Sequence, residues 1–198
     1  MTNFDSFTMV REPLEVVWTT LRDDLSRVAR QLEDLESIDT VEREVSETGV
    51  WLLNRWTARQ KVPALLARYL GTDRIAWEDR AFWRDASKCC EWSIRPTLLP
   101  EHVECSGVTR YEPVMAGRGT RVSFRGSFTL KPGFGGALPA ALEPTIASFA
   151  ESIISTLIPR NLARAVQVAG QTIAAERAPR GELAGPVESA PHQPLQRE

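Results

Sequence analysis

Cysteine and histidine are scarce in this chain, and several kinds of chemistry fall away with them. The 198 residues hold three cysteines, Cys89, Cys90 and Cys105, and two histidines, His102 and His192. An odd cysteine count without metal-type spacing, and with no charged-then-apolar leader ahead of it, reads as reduced thiols in a cytoplasmic protein. Adjacent Cys89 and Cys90 would point to opposite faces of a strand, so bridging them would strain it. The lone His102, at the start of a strand, has no second histidine near it in sequence to complete a zinc set, and the carboxylates show no calcium-loop spacing. No metal or cofactor is expected. There is no Gly-x-Ser-x-Gly turn and no cysteine with a plausible histidine base, which argues against covalent nucleophilic catalysis. Positive charge is not in excess either: 24 Lys and Arg against 26 Asp and Glu give a formal net charge of −2, a poor field for nucleic acid. No apolar run approaches the roughly 20 residues that span a bilayer, so no integral membrane segment is expected.

What is present is an apolar fraction of 42 % and six Trp against two Tyr. That content suits one domain with a sizeable core. A tryptophan surplus fits either a heavy core or an aromatic-lined cavity, because indole combines a large apolar body with one N–H donor.

Along the chain, Phe4 to Arg11 reads as a strand, and Glu12-Pro13 opens a helix whose apolar residues recur at three- and four-residue steps from Leu14 to Leu32 and on to Leu35. A break near Asp23-Asp24 would divide it in two. Six further strands follow: Ile38 to Glu47, Val50 to Arg59, Arg74 to Arg84, Lys88 to Arg95, His102 to Tyr111 and Thr120 to Leu130. The segment Pro63 to Gly71 reads as a short helix ended by glycine. Seven mostly sequential strands make an antiparallel meander the economical topology. Gly126, in mid-strand, is expected to mark a bulge or sharp bend. Gly133-Phe134-Gly135-Gly136 lacks the lysine of a phosphate loop and reads as a hinge.

The closing segment, about Pro139 to Glu176, carries Leu142, Ile146, Phe149, Ile153, Leu157, Val166, Ala169 and Ile173 on one stripe. At ~1.5 Å per residue it would reach roughly 55 Å as a helix. Pro144 and Pro159 each remove an N–H, which places the continuous helix from near Pro144 with a kink at or before Pro159. Residues 177–198 turn to Pro, Gly, Glu, Arg and Gln, the composition of a disordered tail.

The stretch from Arg11-Glu12-Pro13-Leu14-Glu15-Val16-Val17-Trp18 to Leu21-Arg22-Asp23, together with Gly119-Thr120-Arg121-Val122-Ser123-Phe124-Arg125-Gly126 before the last helix, resembles the START-like (SRPBCC) superfamily. The order of elements resembles it from about Phe4 to Glu176. The resemblance implies an α+β helix-grip fold: one domain, residues 1–176, in which a curved seven-stranded antiparallel sheet wraps a long C-terminal helix and leaves a cavity between them. It also implies an apolar or amphipathic ligand such as a lipid or polyketide, with only a minority of members being enzymes.

On the strand around position 80, Trp77, Asp79 and Trp83 share one face, and Trp92 shares a face with Cys90 and Ile94 on the next. These rings either line a cavity or simply fill the space beneath the helix. The candidate ligand-binding set is Trp77, Asp79, Trp83, Trp92, Tyr111 and Phe124 from the sheet, Phe149 and Ile153 from the helix, and Arg55 and Arg95 as cations for an acidic head group. Arg55, Arg95, Arg110 and Arg125 can equally stand on a solvated outer face. Three functions stay open: a non-enzymatic carrier or sensor of a hydrophobic small molecule, an aromatase/cyclase-type enzyme using Asp79, Glu104 or Tyr111 as acid or base, and a partner-binding module with a filled core. A second copy of the chain, as a homodimer, stays open as a partner.

Overall fold

The structure, a computed structural model, describes residues 2–131 and 140–177. Its elements run β1 (Thr2–Val10), α1 (Leu14–Asp23), α2 (Leu25–Ala29), β2 (Leu35–Ser46), β3 (Gly49–Lys61), α3 (Ala64–Leu70), β4 (Arg74–Arg84), β5 (Cys89–Pro96), β6 (Val103–Val114), β7 (Gly119–Leu130), α4 (Glu143–Ser152) and α5 (Ile158–Arg177). The seven strands form one antiparallel sheet in the order β1-β7-β6-β5-β4-β3-β2, a meander from β2 to β7 with β1 added beside β7. The sheet curves around the helices, and its alternating inward side chains make the core. Trp18, Trp56 and Trp77 are among the largest side chains almost wholly removed from water.

Helix α1 starts after Pro13, whose ring presets φ near −58°, and it buries Val17, Trp18 and Leu21. The expected break is at Asp24, which leaves helical geometry at φ −122°, ψ 24°. The apolar repeat that continued to Leu35 in the sequence is not helical to its end. Leu35 is already the first residue of β2, because packing of both Leu35 and Ile38 into the sheet core overrides helical spacing. Gly71 ends α3 with φ +71°, a conformation that favours glycine.

Of the bulge or sharp bend expected at Gly126, the bulge is absent. Pairing of β7 with β1 and with β6 runs in unbroken register through it, and the register shifts fall instead in the β2–β3 and β3–β4 pairs. Gly126 is required for another reason: a Cβ there would lie 2.5 Å from Phe4 Cζ and 2.8 Å from Trp92 Cη2. Its cross-strand partner Gly107 has the same role, since its Cβ would sit 2.4 Å from Trp92 Cζ2. The Trp92 ring occupies the space two side chains would have taken.

The closing helix has the predicted discontinuity. Pro144 lies in the first turn of α4, and a π turn, Ile153–Leu157, separates α4 from α5 just before Pro159. Proline offers no N–H and its ring crowds the carbonyl four residues back, on Ser155, so the chain widens there. Further along, α5 crosses β1 so closely that a Cβ at Gly170 would be 2.9 Å from Val10 Cγ1. The glycine-rich segment 133–136, the onset of the closing segment at Pro139 and the tail after Arg177 lie outside the described residues.

Candidate functional site

Alternation along β4 turns Ile75, Trp77, Asp79, Ala81 and Trp83 inward, and along β5 it turns Cys90, Trp92 and Ile94 inward. Between these residues and α5 lies a cavity of about 50 Å³. Asp79, Trp56, Trp83, Trp92, Tyr111 and Phe124 form its sheet wall, joined by Cys90 and Thr109. Leu162, Ala165 and Val166 of α5 close it from above, and Leu21 and Leu25 of α1 and α2 close one side.

The aromatic wall is tightly interlocked. Trp18 meets Trp83 and Tyr111 edge to face at 4.9 Å and 5.0 Å between ring centres, and Tyr111 lies 5.8 Å from Trp83. Trp92 is anchored by its indole N–H, which donates to Thr109 Oγ1 at 3.0 Å, and it stacks on Phe4. The indole N–H groups of Trp56 and Trp83 are buried with no hydrogen-bond partner among the described residues.

Among the described residues Asp79 is the one charged side chain in this wall, and its position follows from strand register: it stands opposite Asn54 of β3. Thr40 donates to Asn54 Oδ1 at 2.9 Å, which turns the Asn54 amide nitrogen toward Asp79 Oδ2, 3.4 Å away. Burial raises the Asp79 carboxyl from 3.8 to about 6, and the neighbouring Asn54 and Trp56 donors offset only part of that rise. Trp56 favours the anion by proximity, short of a well-formed hydrogen bond. Burial likewise pushes up the Cys90 thiol and the Tyr111 phenol, and takes Cys105 to about 12. All three are therefore neutral near pH 7. Among the described residues no Lys, Arg or His lines the cavity, and no group of three His, Cys, Asp or Glu side chains is placed to hold a metal ion.

The sequence-derived candidates divide into three groups. Asp79, Trp83, Trp92, Tyr111 and Phe124 converge on the cavity. Trp77 and Ile153 instead line a separate void of about 10 Å³ beneath the π turn, scarcely room for one water, while Phe149 is half-buried against the core. Arg55 and Arg95 are placed outside altogether. Each follows an inward residue by one position, so the alternation turns it to the outer face, where Arg55 pairs with Glu78 at 3.3 Å and Arg95 with Glu101 at 2.6 Å. Arg125 pairs there with Asp5, and Glu104, a candidate acid, is exposed and paired with Lys131. Sequence reasoning missed Trp56, Asn54, Thr109 and the α5 residues. The alternation Leu52, Asn54, Trp56, Ala58 was a readable signal for the first two, but their meeting with Asp79 depends on register.

No family model matches the chain, and no curated protein matches its sequence. Solved structures do match in shape. The ZhuI aromatase/cyclase from Streptomyces sp. R1128 superposes with a TM-score of 0.62 at 17% identity, over 91% of this chain and 99% of that one. A protein from Thermus thermophilus gives 0.59 at 18% identity, over 89% and 100% of the two chains. Ara h 8.0201 gives 0.54 at 14% identity, over 88% and 98%. Likeness of this extent at such low identity is a likeness of fold, and together with the sheet order and the long closing helix it shows that the chain has the helix-grip fold.

Proposed function

We propose that the protein binds a small, mostly apolar molecule in the cavity between the sheet and α5, and that binding rather than chemical conversion is its role. The observation that carries this reading is the cavity itself: a space with aromatic and aliphatic walls and, among the described residues, a single carboxyl group, Asp79, to orient what enters. Its volume of about 50 Å³ decides the size of the occupant. Sites for drug-sized ligands run to roughly 300–1,000 Å³, so this one takes a small molecule or one end of a larger one. A lipid or polyketide chain requires α4 and α5 to move away from the sheet.

Asp79 also favours a second reading, an aromatase/cyclase-type enzyme. A carboxyl that titrates at about 6 is well matched to proton transfer near neutral pH, and Tyr111 lines the same cavity. Native mass spectrometry of the purified protein, followed by tryptophan emission during titration with small apolar probes, tests both. Saturable quenching without change in probe mass supports binding; a product mass that depends on Asp79 supports the enzyme. Ala165→Leu, which fills the cavity from the helix side, should abolish the quenching and leave a cooperative thermal transition, because overpacking here costs only about 1–3 kcal/mol. Quenching that survives Ala165→Leu would place the ligand elsewhere.

A further inference from the structure

We infer that the cavity takes the protonated amine end of a small apolar molecule, with Asp79 as its counter-ion inside a cage of tryptophan and tyrosine rings. This rests on the reading of the cavity as a ligand site and names the chemistry it selects.

A carboxylate buried among apolar groups is costly unless a cation or several donors meet it. Asp79 has neither. Its one hydrogen bond from the described residues is the long 3.4 Å contact from Asn54 to Oδ2, and Oδ1 accepts none from them. An ionised carboxylate offers about four acceptor sites, so most of its capacity faces the cavity unused. The surroundings exclude the opposite ligand sign. With no Lys, Arg or His of the described residues in the wall, an anionic head group would meet the Asp79 charge with nothing to offset it. The arginines that could have served an acid, Arg55 and Arg95, are on the outer face and already paired.

The walls favour a cation as well. Trp56, Trp83, Trp92 and Tyr111 line the same cavity as the carboxylate, and aromatic ring faces attract ammonium groups. The volume of about 50 Å³ suits an ammonium with a few carbons. Leu21, Leu25 and Leu162 receive the apolar remainder.

Three isosteric probes, n-propylamine, n-propanol and propionate, separate the alternatives when titrated against the wild-type protein at about pH 7.5 and equal ionic strength. The amine should bind at least about tenfold more tightly than the alcohol, the worth of a charge-assisted hydrogen bond, and propionate should be weakest. Lowering the pH to about 5 should cost the amine about tenfold as Asp79 gains its proton, since the amine itself stays charged. The other titratable groups facing Asp79 are Cys90 from β5 and Cys105 and Tyr111 from β6. All are neutral throughout that range, and α1, α2 and α5 present only aliphatic side chains to the cavity. Asp79→Asn should bring the amine level with the alcohol. If the alcohol or propionate binds as tightly as the amine, or if amine affinity ignores pH, the amine inference is overturned and the cavity reading stands. If none of the three binds, the cavity reading falls and takes this inference with it.

Discussion

A carboxyl group held among tryptophans makes the stability of this protein depend on pH in a definite direction. The Asp79 carboxyl titrates at about 6 when folded against 3.8 ordinarily, so between those values the native state holds a proton that the unfolded chain has released. Stability from this group is thus fully present below about pH 4 and is lost as pH rises through about 6. The amount is on the order of 3 kcal/mol, because each tenfold change in proton affinity between the folded and unfolded chain is worth about 1.4 kcal/mol. Asp79→Asn removes the titration. The melting temperature of the variant relative to wild type should therefore climb by roughly 5–10 °C between about pH 4 and pH 7, read by calorimetry. Parallel pH profiles for the two proteins would show that Asp79 is not buried as described. A residue that weakens its own fold at neutral pH is where a binding site is expected to keep an unfavourable group.

The closing helix is two elements with unequal support. Helix α5 packs on α1, α2 and β1 and is tied at its far end by Arg27 to Glu176 and by Arg177 to Glu12. Helix α4 buries Ile146 and Ala150, of which Ala150 lines the small void, and the π turn before Pro159 interrupts its hydrogen-bond ladder. Local opening follows local packing, so amides of residues 143–157 should exchange with solvent deuterium faster than those of residues 160–175. Mass-spectrometric hydrogen exchange resolves the two peptides. Equal protection would mean that the segment opens as one unit and that the π turn is no joint. Lower protection in α4 would identify the part of the helix that can lift to admit more than the cavity now holds.

At the scale of the whole molecule, the core of the described residues joins the sheet to the helices. One contiguous hydrophobic core extends from Val10 to Ile173 and draws on every strand. Residues 181–198 carry only Leu183, Val187 and Leu195 as large apolar side chains. Deleting them should leave the melting temperature within a few degrees of the full-length value. A larger fall would mean that this segment packs on the body. Among the described residues no helix is long and apolar enough to cross a membrane.

Much of this was legible in the order of residues because it depends on near neighbours. Alternation located all seven strands, with β4 found to the residue, and Asp24, Gly71 and Pro159 marked where helices end or widen. Period-two geometry alone puts Trp77, Asp79 and Trp83 on one face of β4 and Cys90, Trp92 and Ile94 on one face of β5. What crosses between strands was not legible. Nothing local to Gly126 distinguishes a bulge from a seat for the Trp92 ring, and nothing local to Asn54 tells that it will stand beside Asp79. Arg55 and Arg95 show the same limit, since a strand pattern divides residues between two faces but only the packing of α5 decides which face is inside. Local chemistry determined the elements and their faces. The tertiary structure decided the size of the cavity and the isolation of its one carboxylate, because both depend on how closely distant segments approach.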